Sequence, residues 1–468
     1  MLFNSYAFIF AFLPVVVVGY ALIVTRRARA VTMVFLVVAS LVFYSWSNWR
    51  YAFLISSSVL YNYTCGLCLR SETVRCYPRG RRAMLGVAIA VNLCLLGYFK
   101  YTNFLLGTLD GIFGSHWQVR PIGLPLAISF LTFEQITYLV DAYRDTASEH
   151  QFLGYGLFIT FFPRLIAGPI VRPGQMLPQL SRSSTFEFSA ANVATGLLTF
   201  AIGLFKKVMI ADTFAPWIGP IFDQAATVSF CDAWGATLAF ALQLYFDFSA
   251  YSDMAIGLAL LFNIRLPENF DSPYQARSII DFWRRWHMTL SSFLRDYLYI
   301  PLGGNRKSAV RRHLNLFVTM LLGGLWHGAN WTFVIWGGLH GLYVALNHLW
   351  RRTGVRLPGA LAWALTFVAV LVGWVFFRAP SFARAHVMLA GLSGASGFAW
   401  DSTPYSIGMY HVKCLIAGLV VVLWCPNRYT LLEWQWGSDA LYAVVFAVLM
   451  GLSILRLGDA TPFLYFRF

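Results

Sequence analysis

Charge is what this 468-residue sequence has least of. Asp, Glu, Lys and Arg make up 12% of it, against 58% hydrophobic residues. A soluble domain carries about 25% charged residues, so the composition, with a mean hydropathy of +0.62, excludes an ordinary soluble fold. Acidic residues are scarcer than basic ones, 20 against 35, which leaves a net charge of +15. In a soluble chain that surplus would suggest a nucleic-acid partner. In a chain this apolar, basic residues gather in cytoplasmic loops and set topology, and no nucleic-acid partner is expected. Cysteine is sparse too, with seven residues. Only Cys65 and Cys68 have CxxC spacing, and a zinc site needs about four ligands, so all seven read as free thiols or small apolar residues. There is no Walker motif, GxGxxG unit, GxSxG elbow or HExxH, hence no sequence basis for a phosphate loop, a dinucleotide fold, a hydrolase elbow or a zincin.

Long apolar runs are abundant, from 5–24 through to 441–457. They do not alternate over about 10 residues as barrel strands would. The expectation is an all-α polytopic membrane protein, a single membrane domain over 1–468, with about eleven transmembrane helices plus re-entrant and short amphipathic ones. The first run is followed, not preceded, by Arg26, Arg27 and Arg29. That order fits a first membrane helix with its N-terminus outside and not a cleavable signal peptide.

Basic blocks at 70–82 and 351–356 read as cytoplasmic. So does 262–313, with nine Lys/Arg against four Asp/Glu, which is too polar to span. The stretch 314–350 between two cytoplasmic blocks must therefore enter the membrane and return. Two helices of about 18 residues, each about 27 Å long at 1.5 Å per residue, would meet near "HGANW". Gly323, Gly324 and Gly328 are expected to permit the break. His327 would then lie in irregular backbone, which is tolerated at membrane depth only inside protein or beside a cavity.

Ionisable groups in such places are functional candidates. An imidazole titrates near neutrality and can take a proton from an attacking hydroxyl. His327 and His287, both flanked by Trp, are the candidate catalytic residues. Binding of a metal by the two histidines is a rival reading, but no carboxylate at ligand spacing completes such a site. Trp283, Arg284, Arg285 and Trp286 precede His287, and guanidinium forks match phosphate geometry. The same arginines can also be read as topology anchors at lipid headgroups. Tyr297, Asn330 and Trp331 join them as candidate substrate contacts. Asp247, in "YFDFSAYSD", is either part of a buried polar network with Tyr251 one turn on or a group that orients a histidine, and it too is counted among the substrate contacts. Asp253 lies on another face. In "FFPRLIAGPIVRP" (161–173) the prolines predict a broken segment, with Arg164 and Arg172 as cytoplasmic anchors. His340 could lie near His327. The other histidines, His116 and His150 among them, read as loop or packing residues.

In order along the chain, "MLFNSYAFIFAFLPVV", "FPRLIAGPIVRP", "YFDFSAYSDMAIG", "DFWRRWHMTLSSFLRDYLYIPLGGN", "GGLWHGANWTFVIWGGLHG", "GWVFFRAP" and the final "FLYFRF" resemble the membrane-bound O-acyltransferases. The resemblance is to the bacterial branch that acetylates exopolysaccharides. It implies helices ringed around a thin central region, with a cytoplasmic tunnel for a thioester donor and a funnel facing outside. His327 matches the family's membrane histidine, and His287 its second polar position. Arg164 departs from the branch, which often has Gln there. The implied enzyme is an O-acetyltransferase of the bacterial inner membrane with a periplasmic N-terminus. It holds no bound cofactor, and acetyl-CoA is the donor substrate. His327 would act as base, or carry the acyl group in a transient adduct, and His287 would orient or polarise the thioester carbonyl. The implied partners are an SGNH-like periplasmic protein, the machinery that makes and secretes the polymer, and membrane lipid. Cellulose or alginate is the implied polymer, with a lean towards cellulose. The alternatives are a D-alanyl transferase for teichoic acid, a transporter without chemistry, and a structural subunit of a polysaccharide synthase.

Overall fold

The apolar runs fold as helices, since a helix satisfies its backbone hydrogen bonds within one segment. Among the described residues no strand forms. The computed structural model describes the chain except residues 27, 115–121, 147–150, 399–406, 434–438 and 465–468. His116, His150 and the last four residues of "FLYFRF" lie outside the described residues. Among the described residues four helical stretches are long and apolar enough to cross a membrane: Arg50–Arg70, Pro78–Phe113, Ala190–Gln224 and Gly359–Arg378. Five shorter apolar helices, of 10–17 residues, accompany them. The expected number of about eleven crossings goes beyond these four. Helices such as Phe230–Leu260 place Asp232, Gln243, Asp247 and Asp253 on buried faces, and polar positions of this kind lower the hydropathy by which a crossing is recognised.

The chain packs as two units, Met1–Ala201 with Ser252–Pro267, and Ile202–Tyr251 with Glu268–Phe468. In the first, Phe3, Phe8, Phe43 and Phe162 are fully buried and pack with ring centroids 4.9–6.3 Å apart. Asn62 and Asn92 exchange side-chain hydrogen bonds of 3.1 and 2.7 Å, and Asn62 also donates to Gln135 at 2.9 Å. The segment after Phe152–Thr160 breaks at Phe161, makes one turn over Phe162–Leu165, and stays non-helical until Pro173. Arg164 is not a surface anchor. Its side chain is fully buried, paired with Glu134, and donates to the Phe158 carbonyl. The partner is 30 residues away, so no local pattern reveals the pair.

In the second unit the helices Ala309–His327 and Trp331–Arg352 meet at a break of three residues, 328–330. Ser308 caps the first by accepting from the Arg311 N–H, and Asn330 caps the second by accepting from the Thr332 N–H at 3.1 Å, as Ser and Asn commonly do. Gly328 lies in the break as expected, but the other two glycines do not. Gly323 and Gly324 lie inside the first helix, where they do not break it. A Cβ on Gly324 would fall 2.3 Å from the Phe333 carbonyl oxygen, and one on Gly337 would fall 2.5 Å from that of Met320. Gly337 and Gly341, at GxxxG spacing, thus allow the two backbones to touch, as small residues do at helix contacts in membranes. Gly328 has extended backbone (φ −154°), and the Phe333 ring fills the place of its missing side chain. Gly324→Ala is therefore expected to cost about 1–3 kcal/mol, the usual range for overpacking. A lower thermal midpoint of the detergent-solubilised protein is the check, and an unchanged midpoint would contradict the close-contact account.

Candidate active site

Two short helices carry the chemistry-bearing block. Ser278 accepts from the Asp281 N–H to start Ile279–Arg285, which ends before Trp286. His287 then takes a left-handed conformation, φ 42° and ψ 53°, and heads the helix Met288–Leu294. Left-handed backbone is uncommon outside glycine, and at a bulky residue it needs surroundings that enforce it. Two backbone bonds do so. Asp271 N–H donates to the Arg285 carbonyl and Met288 N–H to the Asn269 carbonyl, both at 2.9 Å, so the 269–271 strip clamps the chain on either side of His287.

His287 is fully buried. Its Nδ1 lies 3.0 Å from Asn269 Oδ1, and its Nε2 has no hydrogen-bond partner among the described residues. Phe248 meets the ring edge-on at 4.7 Å. Burial with no charged partner at the ring among the described residues favours its neutral form. His327, the last residue of its helix, is 5% exposed. Its ring centroid is 6.4 Å from that of His287, although the two are forty residues apart in sequence. Trp326, Trp336 and Phe377 wall His327 at 4.9, 5.1 and 5.4 Å.

Beyond Trp336, at 4.9 Å, lies His340. Trp283 donates its indole N–H to His340 Nδ1 at 3.2 Å. An indole only donates, so Nδ1 of His340 is bare and its proton sits on Nε2. That edge faces Gly373, where a Cβ would come within 2.8 Å of Nε2. His340 is thus a packed, oriented member of the aromatic wall, one ring removed from His327.

The remaining sequence candidates separate from this centre. Trp286 is buried in an aromatic cluster with Phe270, Phe282 and Trp374. Arg284 is exposed. Arg285 pairs with Asp281 at 3.0 Å and Asp271 at 3.5 Å. Tyr297 stacks on Phe293 within a π-helical turn, Arg295–Tyr299. Asn330 is occupied as a helix cap and donates to the Pro380 carbonyl at 3.0 Å. Trp331 is 47% exposed. Asp247 joins a buried network: Lys207 donates to it and to Asp212, both at 2.7 Å, and the Leu464 N–H donates to its other oxygen at 2.8 Å. No group of three or more His, Cys, Asp or Glu side chains gathers at metal-holding distance among the described residues. Sequence reasoning passed over Asn269, Trp336 and Phe377. Asn269 stood in plain view in "PENF", but only its contact with His287 marks it.

The model of the membrane-bound O-acyltransferase family matches residues 140–382, which include the clamp, both histidines and the helical hairpin. The chain belongs to the membrane-bound O-acyltransferase family. It is an acyltransferase and a multi-pass membrane protein. A peptidoglycan O-acetyltransferase of Helicobacter pylori is 44% identical over 427 residues, covering 85% of this chain and 80% of that protein. A probable alginate O-acetylase of Pseudomonas aeruginosa is 45% identical over 394 residues, covering 81% and 72%. A teichoic acid D-alanyltransferase of Bacillus subtilis is 29% identical over 281 residues, covering 56% and 70%. His287 and His327 lie 6.4 Å apart within the segment that the family model matches.

Proposed function

We propose that this acyltransferase sits in a bacterial inner membrane, N-terminus in the periplasm, and carries acetyl groups from cytoplasmic acetyl-CoA to sugar hydroxyls of a polymer outside. The observation that carries the reading is the approach of His287 and His327 to 6.4 Å within an aromatic wall. In the step itself, the acceptor oxygen bonds to the thioester carbonyl carbon and its proton passes to an imidazole nitrogen of the pair. The C–S bond then breaks, and the departing thiolate takes that proton to become the free thiol. A placed base in such a step is worth about 10²–10⁴-fold.

The names of the two relatives at 44% and 45% identity favour a carbohydrate hydroxyl as acceptor, on peptidoglycan or on an alginate-like exopolysaccharide. Neither is named for cellulose, so the cellulose lean rests on nothing beyond the sequence resemblance. Transfer of D-alanine has weaker support, at 29% identity over 56% of the chain. An SGNH-like periplasmic partner is proposed to take the acetyl group onward to the polymer. Acetate released by mild alkali from the secreted polysaccharide and from peptidoglycan, in wild-type and deletion strains, tests the reading. One of the two should lose its acetate while polymer yield stays normal. Unchanged acetate on both, or loss of the polymer itself, would overturn it.

A further inference from the structure

We propose that Asn269 is a positioning residue that fixes the tautomer of His287 and leaves Nε2 as the bare nitrogen available to a substrate proton. Asn269 Oδ1 receives the Thr289 hydroxyl at 2.8 Å and the Thr289 backbone N–H at 3.4 Å. A backbone N–H can only donate, so the Asn269 atom at this point is the oxygen and not the amide nitrogen. The same oxygen faces His287 Nδ1 at 3.0 Å. Two atoms of a hydrogen bond cannot both be acceptors, so Nδ1 carries the proton. In a neutral imidazole the other nitrogen is then unprotonated. That nitrogen, Nε2, is buried and has no partner among the described residues, as an acceptor for a substrate donor would be.

The clamp makes the arrangement local and rigid. The Asn269 main chain accepts from the Met288 N–H while its side chain accepts from His287. Asn269 thus supplies one of the two backbone bonds that hold the left-handed turn at His287 and also directs its lone pair. His340 takes the opposite tautomer, because its Nδ1 accepts from Trp283. The two oriented histidines therefore present different chemistry: His287 a bare Nε2, His340 an Nε2–H.

The use of this lone pair rests on the acyl-transfer reading above. As a neutral ring with a bare Nε2, His287 has no proton to give to a thioester carbonyl. It enters the reaction as an acceptor, a resting place for the hydroxyl proton before the thiolate takes it.

The test uses the full chain with nitrogen-15 in its histidines. Nitrogen-15 spectra distinguish protonated from bare ring nitrogens, and His287→Gln identifies the signal. A neutral ring with protonated Nδ1 and bare Nε2 is expected for His287, and a protonated Nε2 would overturn the proposal. Asn269→Leu should mix the two tautomers and lower kcat for transfer from radiolabelled acetyl-CoA by about 2- to 12-fold, the range one neutral hydrogen bond is worth, with KM little changed. Asn269→Asp keeps an acceptor oxygen and should restore the wild-type tautomer and most of kcat. Its carboxylate also favours the protonated ring, so the acidic limb of its pH–rate profile should move up by about 1–3 units. An Asn269→Leu protein with the wild-type spectrum and rate would overturn the proposal, as would an Asn269→Asp protein no better than Asn269→Leu. If wild-type protein does not turn over acetyl-CoA at all, the acetyl-transfer reading fails, while the wild-type spectrum still decides the tautomer.

Discussion

His327→Ala is expected to lower acetyl transfer by about 10²–10⁴-fold with little change in the amount of folded protein. The magnitude is that of a placed proton acceptor, and the placement is specific. His327 ends its helix just before the break at 328–330, walled by Trp326, Trp336 and Phe377, with the His287 ring 6.4 Å away. Removing the ring leaves helix and cap intact, since Asn330 and the glycine contacts that hold the hairpin do not involve it. The loss should therefore fall on kcat and not on protein level. Transfer of radiolabelled acetyl by isolated membranes, normalised to protein by immunoblot, is the measurement. Near wild-type transfer would remove His327 from the chemistry.

The second large effect is on stability. Lys207→Met is expected to destabilise the second unit by about 3–5 kcal/mol, the range for stranding a buried charge by deleting its partner. Lys207 is fully buried and donates to Asp247, Asp212 and the Thr461 hydroxyl at 2.7, 2.7 and 3.1 Å. Without the ammonium, two carboxylates face each other in the protein interior with, among the described residues, the Leu464 and Thr461 N–H groups and the Thr461 hydroxyl to satisfy them. Adding Asp247→Asn to Lys207→Met removes one of those charges and should recover part of the loss. Thermal midpoints in detergent for the three variants check this. A Lys207→Met protein as stable as wild type would mean that the network does not hold the 460–464 segment in place.

Much of the helical layout was legible because it depends on local rules. Apolar runs need internal hydrogen bonds, and two basic blocks flanking 37 residues allow little but a two-helix excursion, which the structure breaks at 328–330 near the expected "HGANW". Contacts across the chain were not legible. The hairpin glycines read as breakers because periodicity does not show which backbone lies opposite, and that neighbour gives Gly324 and Gly337 their role. Arg164 read as an anchor because its partner Glu134 sits on another helix. Asp247 read as a network member or a histidine partner, and Lys207, forty residues upstream, decides for the network. His287 and His327 stood out together by their tryptophan neighbours and by likeness to a family, but forty residues of separation say nothing of their distance. Asn269 was missed because an amide in a loop reveals its role only through the nitrogen it faces.

The claim that His287 and His327 work as one acyl-transfer centre is tested most directly by a double-mutant cycle. Purified protein in proteoliposomes is supplied with radiolabelled acetyl-CoA on the cytoplasmic face and alginate or peptidoglycan fragments as hydroxyl acceptor on the other, and thiol release is followed for wild type, His287→Gln, His327→Ala and the double variant. Groups that act as a unit are strongly non-additive. The double variant should lose scarcely more than His327→Ala alone. Losses that multiply, or a single variant with wild-type turnover, would contradict the account.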